Sequence, residues 1–217
     1  MKTLLLLRHG KSDWDADYGP DHDRPLADRG QKGARKMGRF ITSARLVPDR
    51  AITSSAVRAR ETLATAAESG GWTGPAQVTE ALYDATPEAV LDEIRQTPDD
   101  VQTLIVVGHQ PTWAMLTSAL VGGGAIEMKT AALARVDLNV DRWADAGPGR
   151  GVLAMLLPPR ALRPNAYRKL KKSIEKAIKA QRKAKKQAEK TAAPPEPEAK
   201  PDAEPHPTEA IPRGGVE

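Results

Sequence analysis

Apolar residues in this chain fall into two kinds of run. Short, unbroken runs occur at Thr3–Leu7, Thr103–Val107, Leu133–Leu138 and Val152–Leu157, with a weaker one at Arg50–Thr53. Runs of that length, bounded by turn residues, are the pattern of strands covered on both faces. Between them the spacing turns helical. Arg29–Ala44 sets Ala34, Met37, Phe40 and Ile41 at helical spacing, Ala56–Glu68 is rich in alanine, and Pro87–Arg95 aligns Val90, Leu91 and Ile94. Pro111 suits the first turn of a further helix that passes Met115 and Leu116 and stops at Gly122–Gly124. Strands alternating with helices predict an α/β fold with a mostly parallel central sheet and helices on both faces. The four leucines at Leu4–Leu7 are too few for a secretory signal, whose apolar region needs roughly 7–15 residues. No run approaches the roughly 18 apolar residues of a membrane span.

After Pro164 the pattern changes. Tyr167, Leu170, Ile174, Ala177 and Ile178 make one helical stripe, but beyond Gln181 nothing larger than alanine interrupts the lysines. From Thr191 to Glu217 the chain is rich in Pro, Glu and Ala, a composition that predicts disorder. The expected organisation is therefore a folded domain over 1–162, a basic helix over 163–190 and a disordered tail over 191–217. Charge follows the same division. Residues 163–190 hold twelve Lys/Arg against Glu175 and Glu189, a net of +10, and residues 191–217 hold six Asp/Glu against Lys200 and Arg213, a net of −4. Of the +5 carried by the whole chain, −1 is left for residues 1–162. The basic segment carries the charge for a weak contact with nucleic acid or an anionic surface, although no aromatic follows Tyr167 to support base stacking.

The sequence contains no cysteine, which excludes disulfides, thiolate metal sites and a cysteine nucleophile, and fits a reducing cytoplasm. Its four histidines are His9, His22, His109 and His206. Two arrive by the same route: Arg8-His9 ends the first strand run, and Gly108-His109 ends the run "TLIVVGHQPT". Histidines at strand mouths, each just before a helix, can share one pocket; otherwise they tie loops together by hydrogen bonds. In "TSSAVRARET", Ser54 or Ser55 is placed to cap a helix whose first turns carry Arg58. Helix electrostatics favour anions at that end, so a guanidinium there makes sense in front of a bound anion. An arginine merely paired with Glu61 fits Arg60 better than Arg58.

"LRHGKSDW", "RPLADRG", "SSAVRARET" and "VVGHQPT", in that order over about residues 1–160, resemble the histidine phosphatase superfamily, typified by phosphoglycerate mutase. Within it they resemble the small SixA-type phosphohistidine phosphatases. The resemblance implies a phosphoglycerate mutase-like fold, with His9 as nucleophile and Arg8, Arg58 and His109 around the phosphoryl group. The residues after 163 fall outside it.

Elementary chemistry agrees with that assignment. A neutral imidazole is a competent nucleophile toward phosphorus, and arginine forks match the equatorial oxygens of a transferring phosphoryl group. With arginines supplying the charge, neither metal nor cofactor is needed. Asp13, Asp15, Asp17, Asp21 and Asp23 form an acidic loop expected to be solvated surface. The proton donor is the open position. Glu80 in "VTEALYDAT" is the first candidate and Asp84 the second, and Glu80 as an ordinary strand-edge carboxylate is the alternative. A leaving imidazole needs less protonation than an alkoxide. The expected function is a metal-independent phosphohydrolase working through a phosphohistidine intermediate on a phosphorylated protein, such as a protein phosphohistidine, or on a small phosphate ester. The alternative is a non-catalytic module that binds a phosphorylated partner and docks through its basic segment.

Overall fold

Leu4, Leu5, Leu6 and Leu7 are all fully buried, and they explain the architecture around them. In the computed structural model, which describes residues 1–162 together with Lys176, Lys179, Lys183 and Gln187, they belong to β1 (Lys2–Arg8) in the interior of a six-stranded sheet. Alternate side chains of a strand leave opposite faces. Leu4 and Leu6 therefore join a core with Val90, Leu91 and Ile94 of α3 (Pro87–Arg95) and Trp113, Leu116 and Leu120 of α4 (Thr112–Leu120). Leu5 and Leu7 join a second core with Met37 and Ile41 of α1 (Asp28–Ser43) and Ala59 and Leu63 of α2 (Val57–Gly70). Each leucine buried this way contributes roughly 1.5–3 kcal/mol of transfer free energy.

The strands lie in the order β3-β2-β4-β1-β5-β6, with β2 at Arg50–Ser54, β3 at Ala76–Thr79, β4 at Thr103–Gly108, β5 at Leu133–Leu138 and β6 at Gly151–Leu157. β3, β2, β4 and β1 pair in parallel, whereas β5 is antiparallel to both β1 and β6. The mostly parallel sheet with helices on both faces is the one expected. Strand β3 was not anticipated, because this short edge strand alternates exposed and half-buried residues and leaves Val78 in solvent.

The chain divides into two compact units, Met1–Lys169 and Leu170–Glu217. The stripe of Tyr167, Leu170, Ile174, Ala177 and Ile178 and the tail over 191–217 lie outside the described residues. Among the described residues, no helix is long and apolar enough to cross a membrane.

Candidate active site

The register between β1 and β4 builds the site. Thr3 pairs with Thr103 and the ladder runs without a slip to Arg8 opposite Gly108, so both strands end at the same level. The His9 N–H then donates to the Gly108 carbonyl at 2.9 Å, and the two imidazoles that follow lie with ring centroids 5.1 Å apart. Gly108 is required where it stands. A Cβ there would come within 2.0 Å of the Trp113 ring, which stands edge-on to His109 with centroids 6.5 Å apart. Gly10 and Gly30 play the matching part on the other strand: a Cβ on Gly10 would meet the Gly30 carbonyl at 2.8 Å, so the turn after His9 rests directly on the start of α1.

Arg58 arrives from α2. Residues 58 and 62 lie one helical turn apart, and Thr62 hydrogen-bonds back to the Arg58 carbonyl at 2.6 Å while accepting the Gly10 N–H at 2.9 Å. This hydroxyl fastens the turn after His9 to the turn of helix that carries Arg58. Arg8 is fixed by donation from Nη1 to the Met128 carbonyl at 2.8 Å. His9, Arg58, Arg8 and His109 thus line one cleft of about 360 Å³, with Trp14 and Arg24 at its wall.

The polar atoms of this cleft are only partly matched by protein. His9 Nδ1 lies 2.7 Å from the Gly10 carbonyl. A carbonyl only accepts, so Nδ1 carries the ring proton and Nε2 the lone pair. His109 Nε2 is 2.9 Å from Ser54 Oγ, which also accepts the Ala56 N–H at 3.3 Å. A hydroxyl donates or accepts, so this contact suits either neutral tautomer of His109 and leaves Nδ1 unengaged. That Nδ1, together with Arg8 Nε and Arg58 Nε, is buried without a hydrogen-bond partner. Buried polar atoms are seldom left unpaired, and these three sit on the residues that surround His9. An oxyanion is the chemistry they match.

Burial pushes the His9 pKa down to about 3, reinforced by the neighbouring His109 and by the charges of Arg58 and Arg8, against the opposing bond to Gly10. Burial, followed by Arg58, lowers His109 to about 4. His9 is therefore a neutral imidazole with a free Nε2 lone pair at neutral pH, the form in which it attacks phosphorus.

Several expectations need correction. Asp21 is not plain solvated surface. Its carboxylate bridges Arg24 at 2.7 Å and Arg58 at 2.9 Å, and its carbonyl accepts from Arg58 Nη1 at 2.6 Å. Burial raises its pKa, but the hydrogen bonds and charges of Arg24 and Arg58 outweigh that and hold it below the usual carboxylate range. Neither serine caps α2, whose N-cap is Ala56; Ser54 is engaged with His109 and Ser55 with His22. Glu61 accepts the Leu26 N–H at 2.6 Å and so ties the loop before α1 to α2.

Glu80 is exposed at the start of the 3-10 turn Glu80–Leu82, which is anchored by the buried Leu82, and does not line the cleft; Asp84 is exposed with φ +49°. Sequence reasoning missed Arg24, Trp14 and Tyr83. The Arg24 guanidinium stacks 3.5 Å from the centroid of the Trp14 ring, and the Tyr83 ring stands edge-on to His109 at 5.8 Å. Among the described residues, no cluster of His, Asp or Glu could hold a metal ion.

Comparison with known proteins places this geometry. The family described as the histidine phosphatase superfamily, branch 1, matches residues 4–86. An uncharacterized Mycobacterium tuberculosis protein, Rv1276c, is 36% identical over 166 residues that cover 71% of this chain and all of that protein. The chain belongs to the histidine phosphatase superfamily. Within it, the SixA-like branch is the one its structure resembles. A Nakamurella multipartitia protein assigned as phosphohistidine phosphatase SixA superposes with a TM-score of 0.64 at 26% identity, covering 72% of this chain and 96% of the other. An Agrobacterium tumefaciens protein assigned likewise gives 0.61 at 26% identity, covering 73% and 98%. The chain's relatives include both phosphatases and a phosphoglycerate mutase, so membership carries phosphatase or mutase chemistry with it.

The lowered histidine pKa values have a consequence for stability. In the unfolded chain both imidazoles bind protons below about pH 6.5, whereas in the folded protein His109 stays neutral to about pH 4 and His9 to about pH 3. The unfolded state therefore binds more protons in that window, and stability falls as pH falls. Thermal melts between pH 7 and pH 4.5 should show a declining midpoint, with a shallower decline in His9→Gln and His109→Gln. Parallel slopes in all three proteins would show that these histidines titrate normally.

Proposed function

We propose that the protein hydrolyses a phosphorylated substrate through a covalent phosphohistidine on His9, without a metal ion. The observation that carries this reading is the neutral, tautomer-fixed His9 encircled by Arg8, Arg58 and His109, each of which keeps one buried polar atom without a partner. In the first step His9 Nε2 forms a bond to phosphorus as the bond to the leaving group breaks, and the leaving group departs with that electron pair and takes up a proton. In the second step water attacks phosphorus in line, its proton passes to solvent, and the P–N bond breaks to restore the Nε2 lone pair as phosphate leaves. Both displacements concentrate charge on the equatorial oxygens, where guanidinium groups act most strongly, as does His109 in the tautomer protonated on Nδ1.

The substrate proposed is a protein phosphohistidine, with a small phosphate monoester as the other acceptable class. Two features support phosphohistidine. SixA-type relatives are assigned that activity. Trp14 is also 61% exposed in the cleft wall and braced by Arg24, which offers a flat apolar surface to a planar leaving ring. A leaving imidazole makes little demand on a proton donor, in keeping with the exposed position of Glu80. For an alkyl ester, Glu80 or Asp84 is the proposed donor. The chemistry belongs to residues 1–162 acting as one domain in the cytoplasm, with 163–190 and 191–217 as appendages.

His9→Ala should lower kcat on an aryl phosphate by at least about a thousandfold with the thermal midpoint retained. Wild-type protein quenched during turnover should carry acid-labile phosphate on His9, and excess EDTA should leave the rate unchanged. Retained turnover in His9→Ala would remove the proposed mechanism.

A chain ending at Gln181 should keep the full rate on the same substrate. Any affinity for nucleic acid should drop and lose salt dependence along with the deleted lysines. A large loss of kcat after that truncation would place part of the catalytic machinery beyond the domain.

A further inference from the structure

A second concavity, of about 400 Å³, adjoins the catalytic cleft and shares Arg8, Lys11 and Thr130 with it. Its walls come from four places: the turn after β1, helix α1, the loop before β5 and the 3-10 turn Pro159–Leu162. Its floor is apolar, formed by Gly33, Ala131, Pro158 and Pro159. A Cβ on Gly33 would lie 3.2 Å from Ala131 Cβ, so the absence of a side chain there sets the depth of the groove.

The walls are cationic from every side. Arg29, Lys32 and Lys36 follow each other at spacings of three and four, a single stripe along α1, and Lys11, Lys129 and Arg160 face the same space from the other elements. Lys129 is ion-paired with Glu127, which is also under the influence of Arg160. Among the described residues, the side chains of Lys11, Arg29, Lys32 and Lys36 make no hydrogen bond or ion pair. Like charges at such helical spacing repel by a few tenths of a kcal/mol per pair, and a concave low-dielectric wall concentrates their field rather than dispersing it. Among the described residues, no carboxylate is paired with Lys11, Arg29, Lys32 or Lys36. A bound anion would offset their repulsion.

We propose that this groove is a second anion subsite. It holds a further phosphoryl or carboxylate group of a small polyanionic substrate while the reacting phosphoryl lies against His9. The proposal rests on the phosphoryl-transfer reading of the cleft and, of its two substrate classes, points to the small phosphate ester rather than the protein phosphohistidine. A space of this size is in the range of small-molecule sites, roughly 300–1,000 Å³, and is enclosed on several sides, which suits a compact organic polyphosphate better than an acidic protein face. Arg8 belongs to both spaces, so the two anionic groups of one ligand would be read by a continuous cationic wall.

The test uses the full chain and compares inhibition of aryl phosphate hydrolysis by inorganic orthophosphate and by tripolyphosphate. Substituting Lys32 and Lys36 leaves the basic segment beyond residue 162 intact, so a resulting change in relative inhibition reports on the groove. Tripolyphosphate should inhibit at least about tenfold more tightly than orthophosphate, with a steeper salt dependence. In Lys32→Glu/Lys36→Glu that ratio should fall by about tenfold or more. Thermal midpoints verify folding, and Lys32→Gln/Lys36→Gln serves if the reversed charges prevent it. A wild-type ratio near one, or a ratio unmoved by either double variant, overturns the subsite. So does lysine-dependent inhibition by an oligoglutamate peptide with none by tripolyphosphate, which would assign the groove to an acidic protein partner. If the wild-type chain hydrolyses no aryl phosphate, the phosphatase reading fails by itself. Calorimetry then decides the groove: tripolyphosphate binding weakened by the double substitution sustains it, and binding unaffected by the substitution overturns it.

Discussion

The parallel register of β1 against β4 is the constraint on which the rest depends. Arg8 stands opposite Gly108, and the next residue on each strand is a histidine whose ring meets the other at 5.1 Å. Side chains alternate faces along a strand, so a slip of one residue would turn Arg8 and every leucine of β1 to the opposite side. The burial of Leu4–Leu7 between two helical layers thus has a catalytic result. The same contacts that hold the strand at its depth hold the nucleophile beside its partner.

A site this rich in cations needs an internal counter-charge, and Asp21 supplies it. Its carboxylate spans Arg24 and Arg58, and the chain carbonyl of the same residue accepts a third guanidinium bond. The forks are thereby oriented in advance of any substrate, which reduces the reorganisation that phosphoryl transfer requires. Arg58 keeps a buried Nε without a partner even so. The carboxylate neutralises part of the field without consuming all of its donors. The histidines respond to that same field. Both lose affinity for protons chiefly through burial, with Arg58 contributing to each, so the cationic environment that attracts a phosphate also keeps the nucleophile unprotonated.

How much of this was legible in the sequence depends on where each residue sits. Arg8, His9 and His109 were readable because they follow buried strands whose ends are marked by apolar runs and glycine, and Arg58 because a cation at a helix start runs against helix electrostatics. Asp21, Arg24 and Trp14 were not readable as site residues. They lie in the loop between β1 and α1, which has no periodicity, and its path is fixed by long-range bonds such as Glu61 to the Leu26 N–H. Serine before a helix ordinarily caps it, which is why the sequence offers Ser54 or Ser55 in that role. The competing bond to His109 became visible only when β2 and β4 were laid side by side. Strand β3 escaped because an edge strand with one open face lacks the continuous apolar run that marked the others. Tyr83 reaches His109 from the segment beyond β3, so it was lost with that strand.

The net charge of residues 1–162, close to neutral, conceals a strongly polarised surface. Many carboxylates are paired with cations of their own, as in Arg95 with Glu88 and Asp92, Arg135 with Asp137, and Arg142 with Asp145. Among the described residues, the cations of α1 and of the turn after β1 have no such partners. Summed charge therefore says little about the field a substrate meets, which is set by what each cation lacks nearby. Arg8 stands where the cleft and the basic groove meet, tied through Nη1 to the Met128 carbonyl and unpartnered at Nε. Its position at the end of a buried strand gives it the rigidity to serve both spaces. Lysines on the exposed face of α1 can swing toward anions of different shape, whereas the group beside His9 is held by residues that cannot. Such a division would let the chemistry stay fixed at His9 while the length of the accepted anion is decided along the helix.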